Sequence, residues 1–102
     1  MTTKSAWSPH SQFSRALSNV RKARGLSQEE FDLISSRTYI SALERGLKQP
    51  TLPKVDALSE VLGVHPLTVL VLSYVAVPTG QGVQSLLNQV LHEVYALELT
   101  GF

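Results

Sequence analysis

Apolar residues spaced three and four apart predict an all-α fold for this 102-residue chain, with glycines, prolines and hydroxyl residues standing where helices would start and stop. A content of 43% hydrophobic and 17% charged residues is ordinary for a globular protein. The length fits one domain, or one domain with an appended element. A flexible tail is expected over residues 1–10, a five-helix bundle over 11–75, a linker over 76–82 and an additional C-terminal helix over 83–102.

The tail is polar and ends in Ser8-Pro9-His10. Its Trp7 reads as a packing anchor at least as well as a contact for a partner. The first helix, 11–24, turns Phe13, Leu17 and Val20 to one face and Arg15, Arg21, Lys22 and Arg24 to others, and Gly25 ends it. Ser27-Gln28-Glu29-Glu30 has the form of a capping box, so a second, short helix is expected to start at Ser27 with Phe31 and Ile34 turned inward. Ser35-Ser36 supplies a turn and an N-cap for the third helix, about 36–45. There Ile40, Leu43 and Leu47 face a core, Arg37, Thr38, Tyr39 and Ser41 point elsewhere, and Gly46 lies just past the end. This is either an ordinary amphipathic helix or a recognition helix, with its hydrogen-bonding residues gathered where a base edge or phosphate would sit. Two short helices joined by a brief turn fit a helix-turn-helix, and equally any helical hairpin.

After a loop at 47–50, Thr51 caps a fourth helix, 52–62, whose buried stripe is Val55, Leu58, Val61 and Leu62. Gly63 stops it, and His65 leads into Pro66 at the first turn of a fifth helix. That helix, 66–74, is apolar nearly all round and should be covered on both sides. Pro78-Thr79-Gly80-Gln81-Gly82 breaks the chain. In the sixth helix, 83–99, Val83, Leu87, Val90, Val94 and Leu97 are spaced four, three, four, three, a heptad seam that Leu86, Leu91 and Tyr95 widen. Such a stripe either packs on its own bundle or pairs with a second copy. The five-helix unit before it looks complete, which favours a homodimer interface made by Val83, Leu86, Leu87, Val90, Leu91, Val94 and Leu97.

The absence of cysteine excludes a disulfide framework and a thiolate zinc site. Neither the start of the chain nor any later stretch offers the apolar run of a secretory signal or a membrane span, so a cytoplasmic, nucleoid-associated protein is expected. The net charge of +1 hides a division. Residues 1–54 hold all nine Lys and Arg against four acids, a net of +5; residues 55–102 hold four acids and no base, a net of −4. A polyanion would be attracted to the first half and repelled by the second. His10, His65 and His92 lie far apart and belong to no ligand-spaced motif, and no Gly-rich phosphate loop is visible. No enzyme, metal or cofactor is expected, and there is no room for a separate effector domain.

Four blocks in order, 20–30, 37–46, 50–52 and 62–67, resemble the Xre/Cro/C1 family of helix-turn-helix repressors, over about 17–70. They read VRKARGLSQEE, RTYISALERG, PTL and LGVHPL. The resemblance implies a five-helix, lambda-repressor-like bundle that binds double-stranded DNA, usually as a dimer on an inverted repeat. It implies base contacts from Arg37, Thr38 and Ser41, and phosphate contacts from Gln28, Tyr39, Arg45 and Lys48, with the amides after Gly46. Arg21 and Glu44 match an internal ion pair, and Leu26, Phe31, Ile40, Leu43, Leu52, Leu58, Leu62 and Leu70 match core positions. The chain departs from the family at the turn. Between Ser27 and Thr38 it has two residues fewer than usual, the small-Gly-apolar turn is missing, and Asp32 stands where alanine is common. The loss should shorten the second helix or tighten the turn. The alternative to a transcriptional repressor is an antitoxin-like protein-interaction module whose last helix wraps a partner, with DNA binding secondary.

Overall fold

The structure, a computed structural model, describes residues 9–99, with side chains from 12 onward. Most of the expected tail, including Trp7, and the last three residues of the expected final helix lie outside the described residues. The elements are α1 (Pro9–Ala23), a short 3-10 helix (Gln28–Phe31), α2 (Arg37–Glu44), α3 (Leu52–Leu62), α4 (Pro66–Tyr74) and α5 (Gly80–Ala96). No strand occurs among them. α1 starts two residues before its expected beginning, with proline in the first turn, where its missing N–H costs nothing.

Three helices end in the same way, because in each a glycine follows the last turn. At α2 the Gly46 N–H reaches Leu43 O and the Leu47 N–H reaches Ala42 O, with Gly46 at φ 75°. This double bond pattern needs a left-handed residue, which a side chain would strain. Gly25 and Gly63 do the same for α1 and α3. The starts are set by side chains. Ser36 Oγ accepts from the Tyr39 N–H, Thr51 Oγ1 from the Lys54 N–H, and His65 Nδ1 from the Leu67 N–H.

The second helix is where expectation fails. It is a four-residue 3-10 turn, and Ser27 has the extended backbone of a cap while its side chain makes no capping bond. Between Ser27 and the Ser36 cap the tighter i→i+3 pattern dominates, with Glu30 N–H to Ser27 O, Asp32 N–H to Glu29 O and Ile34 N–H to Phe31 O, and a single i→i+4 bond, Ser35 N–H to Phe31 O, closes the turn. Phe31, fully buried, anchors this turn.

The core gathers one face from each helix up to α4. Phe13, Ala16, Leu17 and Val20 come from α1, at the i, i+3, i+4, i+7 spacing, and Ile40 and Leu43 from α2. Val55, Leu58 and Leu62 come from α3 and Val69 from α4. Leu26 and Leu70 pack at its edge, half-buried. Two residues expected inside are outside. Leu52, in the first turn of α3, is 69% exposed, and Leu47, just past the Gly46 reversal, is 64% exposed. In both cases the chain is turning, and the side chain leaves the face that helical spacing would give it. α4 is covered by α1 along one side and meets α3 across a 110° bend.

α5 begins at Gly80, so Gly80, Gln81 and Gly82, expected in the linker, form its first turn under a Thr79 cap that accepts from the Gly82 N–H. It ends at Ala96, which leaves Leu97 at the C-cap. None of its residues is buried. Phe31→Ala should lower the unfolding free energy by about 3–5 kcal/mol, the cost of a large core truncation, measured by urea denaturation followed by circular dichroism.

Candidate nucleic-acid interface

α2 divides sharply into two faces. Ile40, Ala42 and Leu43 are buried, while Arg37, Thr38 and Arg45 are exposed and Ser41 half-exposed. Arg37, Ser41 and Arg45 recur every four residues, so they form one row along the outer side. Beyond the Gly46 reversal Lys48 is exposed, and the backbone N–H groups of Lys48 and Gln49 make no hydrogen bond among the described residues. An edge with two arginines, one lysine and two unpaired amides at its end suits an anion.

The helix is aimed by a network beneath it. Arg21 of α1 grips Glu44 of α2 with two parallel bonds, Nε to Oε2 at 2.6 Å and Nη2 to Oε1 at 2.9 Å. The third arm, Nη1, donates to Leu26 O at 2.9 Å, so the loop after α1 is tied into the same group. Gln28 Nε2 donates to Glu44 Oε1 at 3.1 Å. Arg21 and Glu44 are only 12% and 8% exposed. The hydrogen bond to Glu44 raises the Arg21 pKa further above its ordinary value, against the lowering effect of burial. A raised arginine keeps its contribution until pH passes that ordinary value, so Arg21 stays charged throughout the neutral range. Gln28 is half-buried and braces α2 through Glu44, although the second helix is a 3-10 turn.

A second brace comes from a residue with no assigned role in the sequence beyond its charge. Lys54 Nζ donates to Ile34 O at 2.9 Å and lies 5.4 Å from the centre of the Tyr39 ring. It thereby ties the start of α3 to the shortened turn and to the first turn of α2. One signal was available: a lysine in the first turn of a helix opposes the helix dipole, which makes a separate partner for it worth seeking. Tyr39, matched by resemblance to a phosphate contact, packs its half-buried ring on the core edge beneath this lysine.

The remaining contact is on the outer surface. Arg37 Nη2 lies 3.1 Å from Glu29 Oε2 and 3.8 Å from Asp32 Oδ2. Neither acid was assigned a role in the sequence, although Asp32 was already out of place there. Leu33, next to it, is fully exposed. The dimer-interface candidates stand apart from this face on α5: Val83 and Leu86 are half-buried, and Leu87, Val90, Leu91 and Val94 are 44–53% exposed. No helix among the described residues is long and apolar enough to cross a membrane.

A short helix capped at its start, carrying an outward row of basic and hydroxyl side chains and braced from behind, defines a helix-turn-helix DNA-binding domain. The Helix-turn-helix family profile matches residues 17–69, just over half of the chain, and the chain belongs to that family, of the Xre/Cro/C1 type. It is 43% identical over 47 residues to an uncharacterized HTH-type transcriptional regulator, y4dJ, of Sinorhizobium fredii. The match covers 44% of this chain and 61% of that protein, so the chain spans about three-fifths of the length of this curated relative. No solved structure matches.

Removing one partner of the buried pair strands the other. Arg21→Met should cost roughly 3–5 kcal/mol of stability in urea denaturation, well beyond the effect of a surface charge. Lys54→Met should cost about 1–2 kcal/mol, and should speed hydrogen exchange at the amides of residues 35–39 more than at those of α1.

Proposed function

We propose that the protein is a cytoplasmic, nucleoid-associated transcriptional repressor that binds an inverted repeat in double-stranded DNA as a homodimer, with α2 in the major groove. The observation that carries the reading is the outward row on α2 with its supporting network. Arg37, Thr38 and Ser41 would read base edges, Arg37 through two bonds to a guanine. Gln28, Tyr39, Arg45 and Lys48 would contact phosphates, with the unpaired Lys48 and Gln49 amides beside them. Tyr39 and Gln28 would do so from side chains that also brace the domain. The concentration of positive charge in residues 1–54 supports the same direction of approach.

The apolar outer face of α5 supports pairing with a second copy, through Val83, Leu86, Leu87, Val90, Leu91 and Val94, with Leu97 at the end of the seam. A dimer would cover side chains that are otherwise a large exposed apolar patch. The reading includes no catalytic step, no cofactor or metal and no small-molecule effector.

Selection of bound sequences from a random DNA pool should enrich an inverted repeat with half-sites about one helical turn apart. A monomer that enriches no motif would overturn the reading. The logarithm of affinity should fall steeply with that of salt concentration, and Lys48→Ala should reduce the slope by about one. Leu91→Glu should yield monomers in sedimentation analysis and weaken binding to the full repeat much more than to a half-site.

A further inference from the structure

We propose that Glu29 and Asp32 set the sequence selectivity of this protein, by presenting Arg37 to a guanine edge while discouraging its use on phosphate. This rests on the DNA-binding role proposed above. Glu29 lies in the 3-10 turn, Asp32 is its C-cap, and Arg37 is the first residue of α2. The shortened turn therefore brings both acids to the tip of the recognition helix. The three side chains are 65%, 56% and 56% exposed, so the ion pairs contribute little to folding. Their effect is on the position of the guanidinium and on the field around it.

In both pairs the guanidinium nitrogen nearest the carboxylate is Nη2. A guanidinium has five N–H donors in a fixed fork. Nη2 carries two N–H groups, so one can face the carboxylates while the other, beside Nη1 or Nε, completes a two-donor edge for guanine O6 and N7. A phosphate is a different case. It brings a full negative charge to a point where two carboxylates already stand within 4 Å of the same group. A guanine edge carries only partial charges and meets far less repulsion. The acids thus weaken sequence-independent binding more than base readout, and selectivity rises through the penalty on wrong contacts.

The test uses the whole chain with Glu29→Gln and Asp32→Asn, singly and together. Binding to the enriched site and to a scrambled duplex is measured across a range of salt, and thermal melting checks the fold. The double variant is expected to bind scrambled DNA more tightly, by on the order of fivefold, with a salt slope steeper by about one. Affinity for the enriched site should change less, so the ratio of the two falls. In an Arg37→Ala background the same acid substitutions should leave that ratio unchanged, because the group they act through is gone. An enriched site with unaltered selectivity in the double variant overturns this proposal alone, as does an equal loss without Arg37. A wild-type chain that enriches no sequence overturns the DNA-reading role and this proposal together.

Discussion

The two-pronged grip of Arg21 on Glu44 is the interaction on which the rest of the arrangement depends. It joins α1 to the C-terminal end of α2, and through the third arginine arm and Gln28 it also holds the loop after α1 and the start of the 3-10 turn. Burying two charges is expensive, and the attraction between them repays that cost only when geometry is good and the remaining donors are satisfied. Here three guanidinium nitrogens have partners, and Glu44 accepts three bonds. An apolar substitute would pack without fixing direction. The ion pair fixes the direction in which α2 leaves the bundle. It also neutralises a carboxylate that would otherwise stand near the outward row.

The shortened connection before α2 has consequences in both directions. The second helix is a single 3-10 turn, Ile34 O after it accepts from Lys54, and Leu33 is completely exposed. The lysine replaces part of the lost helical support from the other side, since it reaches from α3 to the turn and to the Tyr39 ring. The same contraction places Glu29 and Asp32 against Arg37.

α5 presents a different problem. Its apolar residues have helical periodicity, yet it meets the bundle chiefly through α4 and buries none of them. A stripe that its own chain does not cover is costly to leave in water. Its only charged residue within the helix is Glu93, near the end, so most of the face carries nothing to oppose a second apolar surface.

Periodicity and punctuation by themselves determined the helices of this protein, because the left-handed glycine after a helix and the hydroxyl before one act through bonds a few residues long. Gly25, Gly46 and Gly63, and the Ser36 and Thr51 caps, stand where local chemistry puts them. Periodicity also marked the outward residues of α2, while the resemblance to the family implied Arg21 and Glu44 as partners. Local rules misjudged Ser27, whose capping-box pattern lost to the length of the turn, and Leu47 and Leu52, whose side chains follow a reversing chain. Tertiary structure alone decided the positions of Lys54, Glu29 and Asp32. Their partners lie on other elements, and which carbonyl or guanidinium a charged side chain meets depends on how three helices pack around a shortened turn, a distance no spacing along the chain encodes.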